Sequence, residues 1–207
     1  MLRELTVSEF STSLSSEEPA PGGGSASAAV AAFGAGLLIM TCNFTIGKAK
    51  YADVQEEMRE LRDELEPIRV WLMASIDRDS LAYKAVVDAF KMPKGTPEEK
   101  AARKVAIQVA MRGAAEVPMD VARRCARALD LASMVVEMGN PNTLSDAGCG
   151  ARFLDAGLHG ALYNVRINLG SIKDEEYVAK ASVEVDRLSA RAEGSITKVL
   201  EMVEKGL

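Results

Sequence analysis

The chain has few of the side chains that most often hold metals or form disulfides. Its 207 residues include one histidine and three widely spaced cysteines, Cys42, Cys125 and Cys149. An odd number of scattered cysteines gives neither a disulfide framework nor a metal-ligand pattern, which favours a reducing, cytoplasmic compartment. We therefore expect no metal site and no metal or redox cofactor.

Aromatic residues and excess positive charge are also scarce. Aromatics make up 5% of the chain and the formal net charge is −5, which argues against non-specific nucleic-acid binding. The hydrophobic fraction is nevertheless 48%, rich in alanine and with 10 methionines, residues that favour helices. No segment has the period-two alternation of a strand. Together these features predict an all-α protein.

Charged residues are absent from one long stretch, residues 19–47. Its length would suffice to cross a membrane. Small and polar residues fill much of it, however, and Glu17 and Glu18 precede it where a signal peptide would be basic. We therefore interpret residues 25–45 as a buried helix. Small residues recur four apart on one face and predict close packing against another helix, at Gly24, Ala28, Ala32 and Gly36.

Capping signals divide the rest of the chain into further helices. Residues able to cap a helix occur at Thr6, Asp53, Thr96, Ser145 and Asp174. Pro67 is expected to kink or split its helix, and Pro118 to end one helix and start another. No linker or internal repeat is visible. The sequence predicts a single domain, residues 1–207, built as a bundle of six to eight helices around the small-residue-rich central helix.

The first candidate site is the run Pro21-Gly22-Gly23-Gly24-Ser25 at the start of the central helix. Glycines let a backbone turn tightly, and free amides at a helix start attract a carboxylate or another partly negative oxygen. The run matches neither a Walker loop nor a dinucleotide-binding fingerprint. The residues alone leave a plain alternative open, in which the glycines form a loop with positive φ and Ser25 only caps the helix.

Two polar segments form further candidates, one at the C-terminal end of the central helix and one in a later loop. In the run from residue 43 to 51, Lys48 could hold a substrate carboxylate and Tyr51 could stack on a flat ring. Cations at a helix C-terminus also favour the helix dipole, so ordinary capping remains open. In the polar loop at residues 140–146, Asp146 falls in the first turn of a helix of small residues. The alternative there is a plain helix start.

Two polar groups lie inside otherwise apolar helical patterns. Asn164 and Asn168 are four apart, either as core hydrogen-bond links or as pocket donors. Asp77, Asp79 and Tyr83 form a second polar cluster, which could instead be part of an exposed helix surface.

The remaining ionisable residues that stand out are interpreted as structural. His159 has no serine, cysteine or second histidine at a telling spacing. The basic run Arg123, Arg124 and Arg127 is expected to be a solvated face.

In their order and amino-acid sequences, these segments resemble those of the cyclodeaminase/cyclohydrolase family of folate enzymes. The glycine run at 21–25 and the run at 42–51 carry most of the resemblance. Further matches are Asp79, Val117-Pro118, Asn142, residues 145–148 and residues 164–168. Each motif is short, but together they extend from about Thr6 to the last helix. The segment Ser25-Ala26-Ser27 departs from the apolar small residues to which the family tends.

The resemblance implies an all-helical homodimer that acts on the one-carbon unit of tetrahydrofolate. The family has two main activities: closure of 5-formimino-tetrahydrofolate with release of ammonia, and hydrolysis of 5,10-methenyltetrahydrofolate to 10-formyltetrahydrofolate. The length and the runs at residues 45–51 and 93–103 are similar to the stand-alone bacterial cyclohydrolase, which favours hydrolysis. The formimidoyltetrahydrofolate cyclodeaminase reaction and a non-catalytic folate-binding protein remain as alternatives.

The resemblance and the chemistry together suggest roles for individual residues. Asp146 is expected as the base that activates water, with Asp79 as the second choice. Lys48 is expected at the glutamate carboxylate of the folate. No nucleic acid or membrane partner is implied. The expected substrate-binding residues are Gly22, Gly23, Gly24, Ser25, Lys48, Tyr51, Asn142, Ser145 and Asn164.

Overall fold

The computed structural model describes all 207 residues and contains six α-helices and no strand. The predicted all-α class is confirmed, at the lower end of the expected six to eight helices. Short 3-10 segments occupy Leu2–Glu4, Ala49–Val54 and Pro141–Thr143. The helices are α1 (Val7–Leu14), α2 (Gly23–Thr45), α3 (Gln55–Lys91), α4 (Pro97–Met138), α5 (Leu144–Leu169) and α6 (Glu175–Gly206).

Helix α2 is the centre of the bundle and packs against α3 and α5 along small residues. A Cβ built on Gly24 would lie 2.1 Å from the Asp79 carboxylate of α3. On another face, a Cβ on Gly34 would lie 2.6 Å from the carbonyl oxygen of Gly150 on α5. The predicted close packing is confirmed, and the α5 contact adds a second seam beside the predicted ridge.

Helix α2 is also long and apolar enough to cross a membrane, judged by length and composition alone. Its most apolar window has a mean hydropathy of 1.7, and 61% of that window is buried inside the structure. A core helix of a soluble protein passes the same test. The side chains of Ala28, Ala31, Ala35 and Leu38 are fully buried among the other helices, as expected of a core helix.

Two prolines lie inside continuous helices, so the expected break at Pro118 and the alternative of a split at Pro67 are wrong, while the kink expected at Pro67 stays a prediction. Helix α3 runs through Pro67 and α4 runs through Pro118. A proline has no N–H for the carbonyl four residues earlier, which belongs to Asp63 for Pro67 and to Ala114 for Pro118. Asp63 is exposed, so water can reach its carbonyl. The Ala114 carbonyl instead accepts a hydrogen bond from the Asn168 side-chain amide at 2.9 Å.

Three of the five predicted capping residues cap a helix in the structure. Capping boxes form at Thr6 and Thr96, and Asp174 accepts a hydrogen bond at the start of α6. Asp53 does not cap α3, because it lies within the 3-10 segment that precedes the helix. Ser145 does not cap α5, because the helix already begins at residue 144.

The basic run on α4 connects helices, so the expected solvated face is wrong. Arg123 donates to the carboxylate of Glu184 on α6 at 2.6 and 2.8 Å. Arg127 donates to Glu64 on α3 at 2.8 Å. The guanidinium of Arg124 lies 3.5 Å from the centroid of the Trp71 ring on α3. These half-exposed cations hold the long helix α4 between α3 and α6.

Candidate active site

A cavity of about 340 Å³ opens at the N-terminal end of α2, where α3, α4 and α5 converge. We call it the glycine-turn pocket. It brings together several residues singled out in the sequence: the three glycines before and within the first turn of α2, Asp79 and Tyr83 of α3, and two asparagines of α5. Its walls are Pro19, Ala20, Gly22, Gly23, Gly24, Asp79, Ala82, Tyr83, Val86, Met111, Ala114, Asn164, Ile167, Asn168 and Ser171.

The glycines form the cap and first turn of α2. Gly22 is the N-cap in an extended conformation, and the helix begins at Gly23. None of the three has positive φ, since Gly47 alone does, so the alternative of a positive-φ loop is wrong. The need for glycine is one of space, because a Cβ on Gly24 would lie 2.1 Å from Asp79 Oδ1. The missing side chain lets this carboxylate reach the N-terminus of α2.

Ser25 is fully buried and makes no cap for α2. Its hydroxyl oxygen lies 2.9 Å from the carbonyl oxygen of Ile76 and 3.0 Å from Asp79 Oδ2. The hydroxyl can donate its proton to the Ile76 carbonyl or to the ionised Asp79 carboxylate. Burial prevents Ser25 from touching a substrate, so the expected substrate-binding role becomes a positioning role for Asp79.

Asp79 supplies the carboxyl group on the wall of the glycine-turn pocket. Burial raises its pKa above the ordinary value, and hydrogen bonds from the Ser25 hydroxyl and amide partly oppose the rise. A carboxyl with a raised pKa on a pocket wall is suited to give and take a proton. Asp77, two residues earlier, has a structural part: it accepts the Leu2 amide at 2.6 Å and lies 3.4 Å from the Arg3 guanidinium.

The asparagines of α5 form the opposite wall of the pocket. Asn164 donates its side-chain amide to the Gly160 carbonyl at 2.8 Å, and this amide is 3.4 Å from a Cβ built on Gly23. Its side-chain oxygen remains available to a ligand donor. Asn168 has the structural part already described, since it serves the carbonyl left unpaired by Pro118. Asn168 is thus a core hydrogen-bond link that also lines the pocket, whereas a ligand-binding role for Asn164 stays a prediction.

The other expected site residues lie at the far end of α2. Helix α5 runs antiparallel to α2, with Gly150 beside Gly34 and Gly160 beside Ser27. Asp146 precedes Asn164 by 18 residues on α5, a distance of about 27 Å along a helix. One chain therefore does not bring Asp146 together with the glycine-turn pocket. The same holds for its expected companions Lys48, Tyr51, Asn142 and Ser145.

The far end of α2 is organised around the buried Asn140. Its backbone amide donates to Thr45 Oγ1 at 2.9 Å, and its side-chain amide donates to the Phe44 carbonyl at 3.1 Å. The Tyr51 hydroxyl donates to its side-chain oxygen at 3.0 Å. Asp146 is half-buried, whereas Lys48, Asn142 and Ser145 are exposed. These contacts tie the α4–α5 turn to the C-terminal end of α2.

Several pocket residues were not found by sequence reasoning. Pro19 and Met111 come from segments with no chemical motif, and only the fold brings them to the wall. Ile167 and Ser171 could have been found, because they follow Asn164 at helical spacing on one face. No group of three or more His, Cys, Asp or Glu side chains is arranged to hold a metal ion.

Comparison with known proteins identifies the family. The family model described as formiminotransferase-cyclodeaminase matches residues 6–187. The chain belongs to this family. A methenyltetrahydrofolate cyclohydrolase from Methylorubrum extorquens is 39% identical over 199 residues, which cover 96% of each chain.

Other members of the formiminotransferase-cyclodeaminase family extend the comparison. A formimidoyltransferase-cyclodeaminase from Gallus gallus is 35% identical over 95% of this chain. The chain spans only 36% of that relative's length. The crystal structure of a formiminotetrahydrofolate cyclodeaminase from Thermotoga maritima superposes with a TM-score of 0.88 at 31% identity, covering 99% of this chain and 98% of that one. The family and the helical fold expected from the resemblance are therefore confirmed.

Proposed function

We propose that the protein hydrolyses 5,10-methenyltetrahydrofolate to 10-formyltetrahydrofolate. The observation that carries the proposal is the half-buried Asp79 carboxyl, with its raised pKa, on the wall of the glycine-turn pocket. The match to the Methylorubrum extorquens cyclohydrolase over nearly the full length of both chains supports this reaction. A pocket that presents a carboxyl to a cation suits the substrate, because the methenyl bridge is a positively charged amidinium.

Asp79 acts first as a base in this mechanism. The bound cation favours the ionised carboxylate, because an opposite charge nearby lowers a carboxyl pKa. The carboxylate takes a proton from water as the water oxygen bonds to the bridging carbon, which gives a neutral tetrahedral intermediate. The bond from this carbon to N5 then breaks while Asp79 returns the proton to N5. The hydroxyl of the intermediate loses its proton to solvent and becomes the formyl oxygen on N10.

The other residues of the pocket hold the substrate and aim Asp79. The side-chain oxygen of Asn164 accepts a hydrogen bond from the pterin or the attacking water. The half-exposed Tyr83 lies on the pocket wall as a flat surface for a ring. Gly23 and Gly24 leave room for the substrate and for the carboxylate. Ser25 fixes the orientation of Asp79 from behind.

The position of Asp146 changes the order of the candidate bases. It was the first choice from the sequence, but it lies about 27 Å from Asn164 along α5. Asp79 has the cavity and the raised pKa that a proton-transfer group needs. We therefore assign the proton transfers to Asp79 and a structural part to the Asn140-centred cluster.

The cyclodeaminase reaction is the second candidate function. The Thermotoga maritima structure, similar over nearly its whole length, is of a protein named for that reaction. Both reactions pass through a tetrahedral carbon between two nitrogens, so the same carboxyl could serve either one. A non-catalytic folate-binding protein is the third candidate.

One assay separates these candidates. Purified protein is mixed with methenyltetrahydrofolate, and its absorbance decay is compared with the uncatalysed rate at neutral pH. We expect acceleration with formation of 10-formyltetrahydrofolate. Ammonia release from 5-formimino-tetrahydrofolate without hydrolysis of the methenyl form would instead establish the cyclodeaminase. Binding of either compound without turnover would favour the folate-binding protein.

We further propose a cytoplasmic homodimer that uses no metal or redox cofactor and binds neither nucleic acid nor membrane. The dimer is supported by an apolar cavity between α1, α2 and α5, to whose wall the exposed side chains of Val7, Phe33 and Phe153 contribute. The absence of a cofactor is supported by the reaction itself, which needs only water and proton transfer. Light scattering during gel filtration tests the dimer, and a single-chain mass would refute it.

A further inference from the structure

The glycine-turn pocket offers hydrogen-bond acceptors but no cationic side chain. Besides two hydroxyls, its polar side chains are the Asp79 carboxyl and the amides of Asn164 and Asn168. A carboxylate from the tail of a folate would find no charged partner there, which is costly. The pterin, in contrast, carries N–H donors as its 2-amino group and its ring N3–H. The pterin is therefore the part of the substrate that suits this pocket.

The orientation of the Asn168 amide is fixed by Pro118 of α4. Proline has no N–H to donate, so the Ala114 carbonyl lacks the usual partner inside the helix. The side-chain nitrogen of Asn168 donates to this carbonyl at 2.9 Å. A flipped amide would bring two acceptor oxygens together and leave the carbonyl unpaired, so the flip is excluded. The place of the nitrogen thus determines the place of the side-chain oxygen.

The side-chain oxygen of Asn168 is open to the cavity. The hydrogen bond that this side chain makes within the protein uses its nitrogen. Asp77 Oδ2 and Asp155 Oδ1 are the buried side-chain atoms that have no hydrogen-bond partner. The Asn168 oxygen also has no protein donor, but it is not buried, because the residue forms part of the pocket wall. It is therefore free to accept an N–H from a ligand.

Asn168 lies one helical turn beyond the start of α2. Helix α5 runs antiparallel to α2 and brings Asn164 beside Gly23, while Asp79 of α3 lies beside Gly24. Asn168 follows Asn164 by four residues, about 6 Å along α5, and so extends past the N-terminus of α2. The fused pterin rings separate the 2-amino group from the one-carbon bridge by a comparable length. A bridge held at Asp79 therefore allows the amino group to reach Asn168.

We propose that Asn168 selects a pterin substrate, with its side-chain oxygen accepting a hydrogen bond from the 2-amino group. This proposal rests on the proposed function, because the pocket must hold the one-carbon bridge at Asp79. Asn164 remains the acceptor for the attacking water or for another ring N–H. A ring without the amino group leaves the Asn168 oxygen unpaired, and a site built for a hydrogen bond rejects such a ligand.

The first test uses the wild-type protein and a substrate that lacks the amino group. KM is measured for methenyltetrahydrofolate and for its 2-desamino analogue, in which hydrogen replaces the 2-amino group. We expect KM for the analogue to be about tenfold higher, because one hydrogen bond to the ring is lost. The kcat, taken relative to the uncatalysed rate of each compound, should be similar. Equal KM values would overturn the proposal without any variant.

The second test separates recognition from folding. Asn168→Leu keeps the approximate shape of the side chain and removes its amide. It is made in a Pro118→Ala protein, where α4 supplies its own N–H to the Ala114 carbonyl, and Pro118→Ala alone is the matched control. We expect the second substitution to raise KM for methenyltetrahydrofolate about tenfold and to leave KM for the 2-desamino analogue within twofold. An equal rise for both compounds would show a structural part only and overturn the proposal.

The outcomes also separate this proposal from the proposed function. Wild-type turnover with equal KM values for the two compounds would overturn the role of Asn168 and leave hydrolysis standing. If the wild type turns over neither compound, calorimetric titration with tetrahydrofolate and its 2-desamino analogue decides. Binding of the analogue that is about tenfold weaker supports the role of Asn168 without the reaction. Equal binding of the two compounds overturns it.

Discussion

Replacing Gly24 by alanine is the sharpest local test of how the fold aims Asp79. The added Cβ would lie 2.1 Å from Asp79 Oδ1, 2.5 Å from Cγ and 2.8 Å from Oδ2. The residue has ordinary helical φ, so alanine strains no backbone torsion. The effect must therefore come from crowding inside the pocket, first of all from displacement of the carboxylate.

The size of this displacement follows from contact distances. An ordinary contact begins near 3.4 Å, so Oδ1 must move away by about 1.3 Å. Such a shift also breaks the 3.0 Å contact between Asp79 and Ser25. A misplacement of about 1 Å in a catalytic group can reduce turnover by about 10²-fold. Overpacking should also lower the free energy of unfolding by about 1–3 kcal/mol.

The assay is the kcat for methenyltetrahydrofolate hydrolysis in variants shown to be folded by circular dichroism. Gly194→Ala is the matched control, because a Cβ there has no neighbour within 4 Å on the exposed face of α6. The control should keep full activity and be as stable as the wild type or slightly more so. A folded Gly24→Ala protein with kcat within twofold of the wild type would refute the argument that this glycine positions the carboxylate.

Three further substitutions test the energetics. The raised pKa of Asp79 means that the folded chain holds this proton more tightly than the unfolded chain. Denaturant titrations should therefore show wild type losing stability relative to Asp79→Asn as pH rises from 3.8 through the folded pKa. Gly157→Ala places a Cβ 2.7 Å from a neighbouring side chain of α2 and should lower thermal stability by about 1–3 kcal/mol, whereas an unchanged Tm would contradict that packing. Asn168→Ala leaves the Ala114 carbonyl unpaired and should cost about 1–3 kcal/mol, less when Pro118→Ala restores an N–H.

Local signals in the sequence predicted the helix starts correctly where a capping box determines them. The boxes at Thr6 and Thr96 work through neighbouring residues, so they can be found in a short window. Pro118 misled the prediction because its compensation is not local. The Asn168 side chain that satisfies the unpaired Ala114 carbonyl lies 54 residues further along the chain, on α5.

The candidate site was predicted only in part, because the sequence identifies single segments but not the distances between them. The glycine run, Asp79 and Asn164 were each identified, and the fold brings them to one cavity. Asp146 was preferred because its own segment resembles a site, but a sequence does not give its distance from the other candidates. That distance depends on α5 running antiparallel to α2.

The most direct test of the central claim compares Asp79→Asn with Asp146→Asn in methenyltetrahydrofolate hydrolysis. Both substitutions remove a carboxylate with almost no change in shape, and each variant is measured against the uncatalysed rate at neutral pH. We expect Asp79→Asn to lose about 10²-fold or more in kcat while remaining folded, and Asp146→Asn to stay close to wild type. Near-normal turnover by Asp79→Asn, or its loss in Asp146→Asn alone, would contradict the assignment of proton transfer to Asp79.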